Sequence, residues 1–237
     1  MAGLTYATYK TALATLSVVP ETDPNWLAVL PDAIDYAELR IYRDLDLLST
    51  VQTLTTFATT ANSSRVQLTA GTFVTLQNVN VISPAGTTIP DNGTRNPVLP
   101  VSKEYIQYSW PSSTNAGIPK YFAMIDERTF SLGPWPNAAY TLEIVGTYRP
   151  PTLSSSDTTT FISQYLPDLF LMASMIFISG YQRNFSRQSD DPAMAQSYES
   201  QYQALLRGAT VEEYRKKFAA SGWTSISPSP VATPGRG

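Results

Sequence analysis

The chain has 237 residues, with 16 Lys and Arg against 19 Asp and Glu, a net charge of −3, 18 prolines, and neither cysteine nor histidine. Without Cys there is no disulfide framework, thiolate nucleophile or Cys-based zinc site; without His there is no Ser-His-Asp triad, imidazole ligand or histidine acid/base near neutral pH. The mildly acidic balance argues against a general nucleic-acid binder. Only 15% of residues are charged, beside 14 Tyr, 9 Phe and 4 Trp, so the surface is expected either to be partly covered by partners or to be a plain, uncharged Ser/Thr exterior.

The first predicted element is a helix with Thr5 as N-cap and Tyr6, Tyr9, Leu13 and Leu16 on one face. Pro20 and Pro24 break it, and a second helix is expected from Pro31 to Leu48, with Ile34, Ala37, Ile41, Leu45 and Leu48 as its apolar stripe. Arg40 and Asp44 fall four apart on it.

From Ser49 the pattern turns to Thr and Val with frequent turn residues. Arg65–Thr69, Phe73–Leu76 and Val79–Ser83 read as strands, and Asn92-Gly93 as a tight turn. Val101–Tyr108 reads equally as helix or strand. A β-meander is expected next: Tyr121–Ile125, a turn at Asp126-Glu127-Arg128, Thr129–Leu132, a connection at Gly133–Asn137, and Tyr140–Tyr148. Proline is expected only at strand ends.

After a polar linker, Ser154–Thr160, an apolar helix is expected from Pro167 to Arg183. Another starts at Asp191-Pro192, carries Met194, Tyr198, Tyr202 and Leu205, and ends at Gly208. Thr210-Val211-Glu212-Glu213 reads as a capping box opening a last helix, paired internally through Glu212–Lys216 and Glu213–Lys217. Ser221–Gly237, with Pro228, Pro230 and Pro234, cannot form a packed element alone.

The order helices, strands, helices predicts an α+β fold. A helical bundle from the N- and C-terminal helices (residues 1–48 and 154–220) carries an inserted antiparallel β region (49–153) and an extended C-terminal arm (221–237). Met1–Lys10 lacks a basic region followed by an apolar run, so no secretion signal is expected. The longest apolar stretch, Leu169–Tyr181, is too short for a membrane span of about 20 residues.

Chemistry-bearing residues are few. The acidic pairs Asp126-Glu127 and Asp190-Asp191 sit where turns and helix starts favour acids. Neither GxxxxGK[ST] nor GxGxxG occurs, and no catalytic, metal or cofactor site is expected. The basic run Arg215-Lys216-Lys217 suits either a phosphate or acidic partner, or the solvated end of a helix.

Three stretches together resemble one family. Ile34–Leu45 (IDYAELRIYRDL) resembles the second helix of the head-to-tail adaptors of short-tailed bacteriophages, also called tail tubular protein A. Gly117–Ala123, Phe130–Pro136 and Tyr140–Pro150 resemble that family's central β-meander, and Leu166–Leu171 the start of its buried helix. The resemblance runs from Thr5 to Leu206. It implies a virion protein at the portal vertex, made in the host cytoplasm. Twelve copies form a ring joining the capsid portal to the tail nozzle, with tail fibres or spikes docking nearby. DNA passes through the lumen without sequence-specific binding, with no membrane, cofactor or catalysis involved. On this reading Arg40, Arg43, Asp44, Arg215, Lys216, Lys217 and Trp223 are candidate assembly-interface residues. A tail-associated receptor- or glycan-binding module is the competing expectation.

Overall fold

The computed structural model describes residues 3–185 and 193–221, and it is a mixed α+β structure. The chain divides into two compact units: Met1–Leu48 with Pro150–Gly237, and Ser49–Arg149.

In the first unit, helix α1 spans Tyr6–Leu16. Thr5 caps it reciprocally with Thr8, each side chain meeting the other's backbone amide. Helix α2 spans Pro24–Asp44, with Asp23 Oδ1 accepting the amides of Asn25 and Trp26. The expected start at Pro31 is therefore corrected. Pro24 takes the first helical position under the Asp23 cap, and Pro31 lies inside the helix on its exposed face, where the lost N–H disturbs no packing.

Helix α4 is Phe161–Tyr165, capped by Thr160, and helix α5 is Pro167–Phe185. Helix α6 runs unbroken from Ala193 to Ser221. Neither the expected stop at Gly208 nor the capping box at Thr210 exists: Gly208 is helical, and the Thr210 hydroxyl donates to the Leu206 carbonyl one turn back. The expected Asp191-Pro192 start lies outside the described residues.

Helices α1, α2, α5 and α6 share one apolar core. Tyr9, Leu13, Leu30, Ile34, Ile41, Phe170 and Tyr202 are among its largest fully buried members. Tyr9 stacks on Phe170 with ring centres 4.3 Å apart. Its hydroxyl donates to the Phe170 carbonyl and shares a 2.6 Å bond with Ser174, which also reaches the Ala33 carbonyl. A buried phenol so satisfied stabilises the contact instead of opposing it.

The second unit is a seven-stranded sheet. Its strands are β1 (Val51–Ala58), β2 (Arg65–Gln67), β3 (Thr75–Ser83), β4 (Thr94–Pro100), β5 (Tyr121–Met124), β6 (Thr129–Gly133) and β7 (Thr141–Thr147), in the order β1-β7-β3-β4-β5-β6-β2. A short helix, α3 (Lys103–Ser109), caps on Ser102, which resolves the ambiguous Val101–Tyr108 stretch as helix.

Several strand expectations are corrected. The runs at 73–76 and 79–83 merge into one strand, β3, which starts at Thr75 and crosses a bulge between Leu76 and Asn78. β1 and β4 were not legible, and β4 holds Pro97 in mid-strand, paired in register with Asn80. β5 and β6 form the expected hairpin, but β7 does not continue it; β7 crosses to lie between β1 and β3. The β region is antiparallel except for β4 against β5, which is parallel. Asn92-Gly93 closes a short 3-10 turn, with the Gly93 amide on the Pro90 carbonyl and an extended Gly93 backbone.

Candidate assembly surfaces

On α2, Tyr36, Arg40 and Asp44 lie one turn apart along one face, and α6 brings Glu199 and Tyr202 against them. The Arg40 guanidinium donates to Glu199 at 2.6 Å, forms an ion pair with the Asp44 carboxylate at 3.6 Å, and lies 4.3 Å over the Tyr202 ring. Tyr202 in turn donates to Asp44 at 2.7 Å. Burial works against the Arg40 charge, but the hydrogen bonds to Glu199 and Tyr36 outweigh it and raise its pKa. The same Arg40 contact holds the Glu199 carboxyl below its ordinary range. The expected Arg40–Asp44 pair exists, but the shorter partner comes from α6. Arg43 is exposed and has no ion pair among the described residues.

The basic run behaves residue by residue. Lys216 reaches both Glu212 and Glu213 at 2.8 Å, while Lys217 pairs with Asp46, which corrects the expected Glu213–Lys217 pair. Glu213 is buried and otherwise engaged: its Oε2 accepts the Leu48 amide. Arg215 is exposed, with no ion pair among the described residues. Trp223 and Asp190-Asp191 lie outside the described residues. Asp126 serves its turn: Oδ1 accepts the amides of Arg128 and Thr129, and the Arg128 amide first of all holds its carboxyl low.

Three groups escaped the sequence reading. Glu38 is buried in the stripe of α2, where its Oε1 accepts the Leu153 amide and the Thr160 hydroxyl. Burial pushes its pKa up to about 7, the Leu153 and Thr160 bonds pulling the other way and Asp35 adding a smaller push. Its place four after Ile34 and three before Ile41 was the available signal. Glu143 on β7 accepts from Arg95 at 2.9 Å and Asn80 at 2.9 Å, and the Arg95 bond depresses its pKa. Finally, Trp110 stacks on Tyr121 at 5.6 Å with Tyr105 edge-on to both. Trp110 rests over Gly133, where a Cβ would come within 2.5 Å of its ring. That contact gives the Gly133-Pro134-Trp135-Pro136 stretch a physical reason: only glycine leaves room for the indole.

Among the described residues no helix is long and apolar enough to cross a membrane, and no cluster of acids is arranged to hold a metal ion. The arrangement is one of clamps and aromatic surfaces.

No curated protein matches the chain. A family model described as SU10 adaptor protein matches residues 4–226, spanning both units. The chain thus belongs to the SU10 adaptor protein family, a family of phage head-to-tail adaptors, and is a phage structural adaptor, a virion component of the portal–tail region that associates with other portal and tail proteins.

Proposed function

We propose that the chain is the subunit of a twelve-membered ring that joins the capsid portal to the tail nozzle, with DNA passing through its lumen and no catalytic role. The observation that carries this reading is the family match across residues 4–226. On it, α1, α2, α5 and α6 are the subunit's helical bundle, residues 49–153 its inserted region and residues 221–237 an arm that orders on assembly. A tail fibre or spike docks near the junction.

A ring closes through heterologous contacts, so each subunit must offer two different side faces. The exposed aromatic side chains support this: Tyr108 is 89% exposed, and Tyr165 and Tyr214 are each 70% exposed. Tyrosine is among the residues enriched in protein interfaces. Arg43, Arg215 and Trp223 are the residues we assign to neighbour contacts. Arg40, Asp44, Lys216 and Lys217 support them from within the subunit, because their charges are already matched on the chain.

The test is particle mass and symmetry of the purified protein with and without its purified portal. Twelve-fold rings on the portal are expected. A portal-independent trimer with glycan affinity would replace the ring by a receptor-binding module. Deleting Ser221–Gly237 is expected to weaken portal capture in a pull-down, and unchanged capture would remove the arm from portal binding.

A further inference from the structure

The second unit carries a notch of about 300 Å³ between β2, α3 and β6 that neither the family nor the ring reading assigns. Its walls are Trp110 and Trp135, with Ile106 and Ile125 at the floor and rim. The two indoles are fixed: Trp135 Nε1 donates to the Trp110 carbonyl at 2.9 Å, and Trp110 is held by Tyr121 and Gly133. The polar groups at the notch include the exposed side chains of Arg65 and Gln107, both donors, and no acid lines it. Arg65 has no ion pair among the described residues.

Rigid aromatic walls with hydrogen-bond donors between them suit one backbone geometry in particular. A polyproline II segment has no internal hydrogen bonds, presents unsatisfied carbonyls, and offers flat proline rings that pack between aromatic side chains. The chain itself contains a proline-rich stretch whose composition suits that geometry. Ser227-Pro228-Ser229-Pro230-Val231-Ala232-Thr233-Pro234 follows α6, is free of acids, and is followed by Arg236. Asp126 and Glu127, both exposed, come directly after Ile125 at the rim, where they complement that arginine. In that geometry, at about 3.1 Å per residue, the sixteen residues beyond Ser221 would span about 50 Å.

We propose that the Trp110–Trp135 notch binds the proline-rich segment Ser227–Pro234 of a second copy of this chain, its carbonyls taken by Arg65 and Gln107. The second copy is the ring neighbour, so the proposal rests on the ring reading for its source of partners.

The experiment uses the full chain. A photo-crosslinking amino acid replaces Val231, and equal amounts of ¹⁴N- and ¹⁵N-labelled protein are mixed, irradiated and mapped by mass spectrometry. Crosslinks to residues 106–111 or 131–135 in pairs of mixed isotope are expected. Crosslinks confined to other residues, or to pairs of one isotope, overturn the proposal. Two further variants keep the result interpretable. Replacing Pro228, Pro230 and Pro234 by Ala alters no residue of the described structure, and Arg65→Glu with Gln107→Glu alters only exposed side chains. Each is expected to reduce the mixed-isotope crosslink about tenfold, and an unchanged yield in both overturns the proposal. A glycan that quenches the notch tryptophans while tail crosslinks are absent assigns the notch to sugar binding instead. Particle mass on the portal is read separately: rings without this crosslink reject the contact alone, and the crosslink without rings rejects the ring alone.

Discussion

Arg40 on α2 and Glu199 on α6 meet at 2.6 Å, with the same guanidinium lying over the Tyr202 ring. This is a charge-assisted contact between two helices far apart in the chain, placed where both side chains keep some solvent access.

Arg40→Ala is therefore expected to lower the stability of the helical unit by about 2 kcal/mol, combining a partly exposed ion pair with a cation–π contact. Arg40→Lys restores only part of it, because an ammonium cannot serve Glu199, Asp44 and the Tyr202 face together. Urea denaturation checks both, and a double-mutant cycle with Glu199→Gln is expected to return a coupling of about 1 kcal/mol. Additive single effects would show that the pair carries no energy of its own.

Glu38 predicts a pH dependence. Its pKa rises on folding from the ordinary 4.5 to about 7, so between those values the native state keeps a proton that the unfolded chain has released. The stability it confers is complete below about 4.5 and is lost as pH rises through about 7. Glu38→Gln keeps an acceptor for Leu153 and Thr160 without the charge. It should match the wild type near pH 4 and exceed it near pH 8 by up to about 3 kcal/mol. Chemical denaturation at the two pH values decides this, and an equal difference at both would refute it.

Gly208 separates two local structures. In the middle of a continuous α6, with no atom within 4 Å of a built Cβ, Gly208→Ala is expected to stabilise by about 1 kcal/mol. A helix that stopped there on a left-handed glycine would be destabilised by the same change. The thermal midpoint gives the sign.

Gly133→Ala should do the reverse in the β unit. The added methyl must displace the Trp110 ring, which is expected to cost about 2 kcal/mol and to shift tryptophan fluorescence as the indole leaves its stack on Tyr121.

The helical elements were largely legible because their apolar spacing is set by one period. Tyr9 and Leu13, and Ile34, Ala37 and Ile41, were read onto buried faces and are buried. Where competing signals met, the sequence misled. Pro31 and Gly208 are helix breakers by propensity, yet both are carried inside helices on solvent-facing positions, where they oppose no packing. β4 was hidden by Pro97, and the crossing of β7 depends on pairing between residues 59 to 72 apart, which local pattern does not encode. The charged network was half visible. Arg40–Asp44 and Glu212–Lys216 follow from helical spacing, whereas Arg40–Glu199 and Lys217–Asp46 need the tertiary fold.

The junctions between the two units share a feature. The chain leaves the helical unit at Leu48, whose amide is held by Glu213 of α6, and soon after it returns, the Leu153 amide is held by Glu38 of α2. Both carboxylates are buried. A tug along the chain at either junction is thus met first by a carboxylate seated in a long helix, not taken up as slack in a loop. Mechanically, each junction is anchored. Load arriving along the chain at either junction is handed to α2 and α6, the helices that Arg40 and Glu199 tie together.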